Sequence, residues 1–166
     1  MATSTKNLSA YAVNDVPNGA DFRIGIVVSE WNENITLNLL EGAKETLLKH
    51  GVKTDNVIIH FVPGTFELPL GCQHLLEEKL VDGIVAIGSV IQGETKHFDF
   101  VSDAAAHGIM NVGLKYNAPV IFCVLTDNTL QQAIDRSGGK HGNKGIECAV
   151  ACLKMVSFKN RLNSKL

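Results

Sequence analysis

GIVAIGSVIQGETKHFD, residues 83–99, carries a strand, a glycine-bearing loop and the start of a helix in seventeen positions. Residues 83–90 are largely apolar and β-branched without strict two-residue alternation, the pattern of a strand covered on both faces. Gly88 and Gly93 bracket a polar loop, and a helical pattern over about 98–115 follows. Three other runs read the same way: FRIGIVV (22–28), VIIHFV (57–62) and PVIFCVL (119–125). Between the first two, Ile35, Leu39, Leu40, Ala43, Leu47 and Leu48 recur at helical spacing, and Gly51 stands where a left-handed C-terminal cap belongs. Further helices are expected over about 67–79, 128–135 and 144–158, the last two split by glycines. Alternating strands and helices imply a parallel sheet with helices on both faces, whose ligands bind beyond the carboxyl ends of the strands.

With 166 residues and 45% hydrophobic composition, the chain can bury the core of one domain. That domain is expected over 21–158, between a polar tail, residues 1–20, that orders only by docking, and a C-terminal tail, 159–166. The formal charge of −2 and the absence of any Lys/Arg stripe argue against nucleic acid as a partner. Neither a signal-like opening nor an apolar run of membrane-spanning length is found, which argues for the cytoplasm and against a membrane. Cys72, Cys123, Cys148 and Cys152 lie in apolar segments without CxxC spacing, so they read as core thiols rather than disulfides or metal ligands, and no metal site is expected.

Four loops hold the polar chemistry. In GSVIQGETKHFD, 88–99, free N–H groups at the helix start near Gly93, Glu94 and Thr95 suit a small phosphate. The spacing nearly matches a nucleotide-binding P-loop, but Glu94 stands where that loop needs lysine, which disfavours a nucleoside triphosphate. His97 lies beside this anion site, and imidazole is suited to shuttling protons; His50, His60, His74 and His107 read as capping, packing or surface residues. In RSGGKHGNKG, 136–145, Arg136 could grip a phosphate, or the segment could be a solvated loop with Gly138 as a helix stop. SEWNEN, 29–34, places the chain's single tryptophan, Trp31, where a flat ring could stack. Glu67, in VPGTFELP, 62–69, could cap a helix or accept hydrogen bonds from a polyol.

Taken in order, SEWN, PGTFELP, GSVIQGETKHFD, PVIF and RSGGKHGNKGIE resemble the motifs of the 6,7-dimethyl-8-ribityllumazine synthase family over about 22–156. The resemblance implies a flavodoxin-like, three-layer α/β/α sandwich with a four-stranded parallel sheet in the order 2-1-3-4. It also implies a cofactor-free transferase that condenses 5-amino-6-(D-ribitylamino)uracil with 3,4-dihydroxy-2-butanone 4-phosphate in the penultimate step of riboflavin biosynthesis. Position by position, His97 matches the proton-transferring histidine, and Glu94, Thr95 and Arg136 match the phosphate site. Trp31 matches the aromatic that stacks on the pyrimidine, with Asn32 beside it; Thr65, Phe66 and Glu67 match the ribityl contacts; Ser89, Val90 and Ile91 line the ring pocket. Phe122 matches a residue supplied by a neighbouring subunit, Lys144 a cation at that shared site, and Glu147 an ion-pair partner for Arg136.

The resemblance further implies a pentamer, and the short GGKHGN turn at 138–143 points to twelve pentamers in a 60-subunit icosahedral shell, with the N-terminal tail adding to a neighbour's sheet and riboflavin synthase as a further partner. Two rivals stand beside this reading. An archaeal-type riboflavin synthase would not need Thr95 and Arg136, and a non-catalytic lumazine or flavin carrier would not need His97.

Overall fold

A computed structural model describes residues 7–163. Four parallel strands, β1 (Ile24–Ser29), β2 (Val57–Val62), β3 (Gly83–Ile91) and β4 (Val120–Asp127), form one sheet in the order β2-β1-β3-β4. The helices are α1 (Glu33–Lys49), α2 (Leu68–Glu77), α3 (His97–Tyr116), α4 (Leu130–Arg136) and α5 (Lys144–Asn163).

Alternation along the strands sorts their side chains between two layers. Ile24, Ile26, Val28, Val85, Ile87, Cys123 and Leu125 pack against α1 and α5 through Leu39, Leu47, Cys148 and Leu153. Val27, Ile84, Ala86 and Val124 pack against α2 and α3 through Leu68, Cys72, Ile109 and Val112. The architecture is therefore the expected three-layer α/β/α sandwich.

One expectation about the strands needs correcting. β1 and most of β3 are buried on both faces, but β2 is not: His60 and Phe61 are exposed and its other residues are only partly covered. β2 is an edge of the sheet, and α2, which follows it, packs chiefly across β1 and β3. β4, the other edge, leaves Phe122 and Thr126 exposed.

Helix ends follow local chemistry. α1 closes on Gly51 at φ +90°, the left-handed cap its position predicts, and α3 closes on Asn117 at φ +48°. The Thr129 side chain caps α4 by accepting from the Gln132 N–H at 3.3 Å. α5 runs five residues past its expected end at 158, because Lys159, Asn160, Arg161 and Leu162 include no glycine or proline to stop it. Residues 159–163 of the expected C-terminal tail are thus helical, and 164–166 lie outside the described residues.

Attachment to the body begins upstream of Asp21. Leu8 N–H donates to the His141 carbonyl at 2.7 Å, Asn143 N–H donates to Ser9 Oγ at 2.9 Å, and Gly19 N–H donates to the His50 carbonyl at 2.8 Å. Tyr11 Oη lies 3.1 Å from His50 Nε2, and burial, with Lys49 adjacent, lowers the pKa of that imidazole. Residues 7–20 therefore dock on this chain's own α1 end and on the small antiparallel ribbon β5 (Ser137–Gly139) and β6 (Gly142–Asn143).

That ribbon is tied down by Asn143. Its Nδ2 donates to the Asn38 carbonyl at 2.8 Å, and its Oδ1 accepts from the Gly145 N–H at 2.8 Å, joining α1 to the first turn of α5. A Cβ built on Gly145 would collide with the Leu39 carbonyl oxygen, so only glycine permits this approach of α1 and α5.

All four cysteines are buried. Burial pushes the Cys72 and Cys152 thiols up to about 12, and a side-chain hydrogen bond with Cys148 that favours the neutral thiol, together with burial, pushes Cys123 well up. No helix among the described residues is long and apolar enough to cross a membrane.

Candidate active site

In the order 2-1-3-4 the connections from β1 and β3 lead to opposite sides of the sheet, and crevices open beyond the carboxyl ends of strands at such a switch point. A cleft of about 810 Å³ lies there, within the range of small-molecule sites. The loop after β1 contributes Trp31 and Asn32, the loop after β2 contributes Pro63 to Glu67, and the end of β3 with its loop contributes Ser89 to Ile91, Gly93 and Thr95. His97, Phe98, Phe100 and Val101 close it from the first turns of α3.

Backbone pairing continues past the strands and holds these loops together. Glu30 N–H donates to the Val62 carbonyl at 2.8 Å and Trp31 N–H to the Pro63 carbonyl at 3.3 Å, which sets the tryptophan beside the β2 loop. Asn32 adopts a left-handed conformation at φ +61°, which asparagine tolerates, and its Nδ2 donates to the Ser89 carbonyl at 2.9 Å. Trp31 is left 73% exposed, so an aromatic ligand can reach its indole.

His97 is the first residue of α3. Its N–H donates to Thr95 Oγ1 at 3.3 Å, a local turn that fixes where the imidazole enters the cleft. The two loop glycines serve different ends. A Cβ on Gly88 would meet Thr65 Oγ1 at 2.7 Å and Leu68 Cδ1 at 3.0 Å, so this glycine permits packing between β3 and the β2 loop. Gly93 has nothing within 4 Å of its Cβ position and leaves room at the backbone.

Ten expected site residues line this one cleft: Trp31, Asn32, Thr65, Phe66, Glu67, Ser89, Val90, Ile91, Thr95 and His97. Four do not. Glu94 is exposed in the loop, Phe122 lies on edge strand β4, Arg136 ends α4, and Lys144 begins α5. Sequence reasoning missed Pro63, Gly64, Phe98, Phe100 and Val101; the apolar spacing just after His97 was the available signal for the last three.

Two finer expectations differ from the structure. Glu147 does not pair with Arg136: Lys144 Nζ, one helical turn away, takes its Oε1 at 2.9 Å. Arg136 Nη1 instead lies 3.6 Å from Asp127 Oδ1 and donates to the Gln132 carbonyl at 3.0 Å. Glu67 makes no capping hydrogen bond to α2, since Thr65–Glu67 form a 3-10 turn that leads into the helix.

The family model described as 6,7-dimethyl-8-ribityllumazine synthase matches residues 21–160. Among curated proteins, the chain is 55% identical to the 6,7-dimethyl-8-ribityllumazine synthase of Cytophaga hutchinsonii over 157 residues, covering 95% of this chain and 98% of that protein. It is 52% identical to that of Christiangramia forsetii over 160 residues, covering 96% and 95%, and 51% identical to that of Porphyromonas gingivalis over 159 residues, covering 96% and 99%.

Proposed function

The chain belongs to the 6,7-dimethyl-8-ribityllumazine synthase family, and from that membership we propose how its residues divide the reaction. The reaction condenses 5-amino-6-(D-ribitylamino)uracil with 3,4-dihydroxy-2-butanone 4-phosphate to 6,7-dimethyl-8-ribityllumazine, releasing phosphate and water. The observation that carries the proposed roles is the gathering of Trp31, the Thr65–Glu67 turn and Ser89–Ile91 around His97 in one cleft.

In this reading the pyrimidine stacks on Trp31 and lies along Ser89–Ile91, while the ribityl chain runs over Thr65 and Phe66 to the Glu67 carboxylate. The phosphate takes N–H groups near Gly93–Thr95 and the Thr95 hydroxyl. The substrate amine attacks the butanone carbonyl and one water is lost as the imine forms; phosphate is then eliminated, and the ribityl-bearing amine closes the ring on the remaining carbonyl with loss of a second water. His97 moves protons at the amine and the departing oxygens. Nucleophile and electrophile both belong to the substrates, so orientation is the protein's main contribution, and no step changes the overall oxidation state or calls for a redox cofactor.

Phe122, Arg136 and Lys144 complete the site from a second copy of the chain. Their position outside the cleft supports this, as do the exposed Phe100, Met110 and Leu114 along α3, an apolar face of the kind that subunit contacts cover. The assembly is a pentamer and, with the short GGKHGN turn at 138–143, a 60-subunit shell in the cytoplasm, and riboflavin synthase is the partner that takes the product.

Turnover with the two purified substrates, followed by lumazine fluorescence, tests the function, because a carrier would give none. Light scattering tests the assembly, and a monomeric mass would remove the shared site. Binding of the uracil substrate is expected to quench the emission of Trp31, the sole tryptophan; an unchanged spectrum at saturation would count against the stacking role. Arg136→Ala should raise KM for the butanone phosphate by roughly 10- to 100-fold with little change for the uracil, and equal losses would undo its assignment.

A further inference from the structure

Asp127 is the last residue of β4, and its backbone is pinned. It pairs in register with Ile91, and its carbonyl accepts the Gln92 N–H at 2.9 Å, at the root of the loop that leads to Thr95 and His97. The side chain is only 7% exposed, with Oδ1 3.6 Å from Arg136 Nη1, while Oδ2 is buried with no hydrogen-bond partner. Burial pushes this carboxyl up from the ordinary carboxylate range, and the Arg136 guanidinium pulls it back.

A buried carboxylate kept only for stability normally has both oxygens satisfied, and an apolar residue of similar size would serve as well. Here the pair is loose and one oxygen is unmatched. Both described contacts of the guanidinium, to Asp127 and to the Gln132 carbonyl, fall on Nη1, so neither engages the Nε–Nη2 edge. That edge presents two parallel donors, the geometry that grips a phosphate.

We propose that Asp127 is a positioning residue for the phosphorylated substrate: by holding the Nη1 side of Arg136 it turns the Nε–Nη2 edge outward to the phosphate. The proposal rests on the reading of Arg136 as a phosphate ligand. It explains why an acidic group lies next to a cation that binds an anion. The carboxylate opposes anion binding through space, but it fixes the side chain that makes the bidentate contact, and for a long, rotamer-rich side chain the orientation outweighs the repulsion.

Asp127→Asn keeps the shape and removes the charge. In the full-length assembled enzyme it should raise KM for the butanone phosphate about tenfold, and weaken inhibition by inorganic phosphate in parallel, while KM for the uracil moves less than about twofold. The thermal midpoint should not fall, because a buried, half-satisfied charge is removed. In an Arg136→Ala background the same substitution should add no further rise, since nothing is left to position. Unchanged phosphate affinity, equal rises for both substrates, or additive effects with Arg136→Ala would overturn the proposal. If Arg136→Ala alone leaves phosphate affinity intact, the phosphate-ligand reading falls first, and this proposal falls with it.

Discussion

His97→Ala should slow turnover by about 10²- to 10⁴-fold, the range a positioned proton-transfer group supplies. The loss should fall in kcat, with KM for either substrate changing far less, because the indole of Trp31, the Thr65–Glu67 turn and the Thr95 hydroxyl all stay in place. Folding should be unaffected. The side chain is exposed in the cleft, and only its backbone N–H, which alanine keeps, bonds Thr95 Oγ1. Activity should remain above the uncatalysed rate, since holding amine and carbonyl together is independent of the imidazole. The check is steady-state kinetics with both substrates alongside a thermal melt; a fall in kcat of less than about threefold would remove the proton-transfer role.

Gly145→Ala should cost about 3 kcal/mol of stability, the upper end for overpacking a tight contact. The added methyl would run into the Leu39 carbonyl oxygen and carbon and into Asn143 Oδ1, and most of these are backbone or hydrogen-bonded atoms that cannot swing aside. Better helix propensity would offset at most about 1 kcal/mol of that cost. For a chain of this size the net loss lowers the thermal midpoint by roughly 5–10 °C. Gly93→Ala is the internal control: with nothing within 4 Å of the new methyl, it should leave the midpoint within experimental scatter. Equal melting of the two variants would mean that α1 and α5 can part without penalty.

Much of this was legible from residue order because it is local. β-branched runs marked the strands, three- and four-residue spacing marked the helices, and loop residues after parallel strands converge wherever the sheet puts them. The failures have two sources, a strand's place in the sheet and the choice among competing partners. Residues 57–62 are as apolar as a central strand, yet their place at the sheet edge exposes His60 and Phe61. Glu147 had two cations within reach by sequence, and the one at helical i−3 spacing prevailed over the distant Arg136. Asp127 carried no motif at all; its importance arises from burial and from Arg136 nine residues downstream, neither of which composition or periodicity encodes. Phe122, Arg136 and Lys144 fall outside the cleft that holds His97, on β4, α4 and α5, a separation that residue order alone does not reveal.

The sealed sulfurs give this protein a pair of built-in clocks. Cys72 lies in the α2–α3 layer, whereas Cys123, Cys148 and Cys152 lie in the α1–α5 layer. With every thiol enclosed, and burial suppressing the ionisation of Cys72, Cys123 and Cys152, an alkylating reagent can mark a cysteine only in moments when its layer comes apart. The pace at which each peptide acquires the label thus times the breathing of each half of the sandwich separately, with no probe added to the native chain.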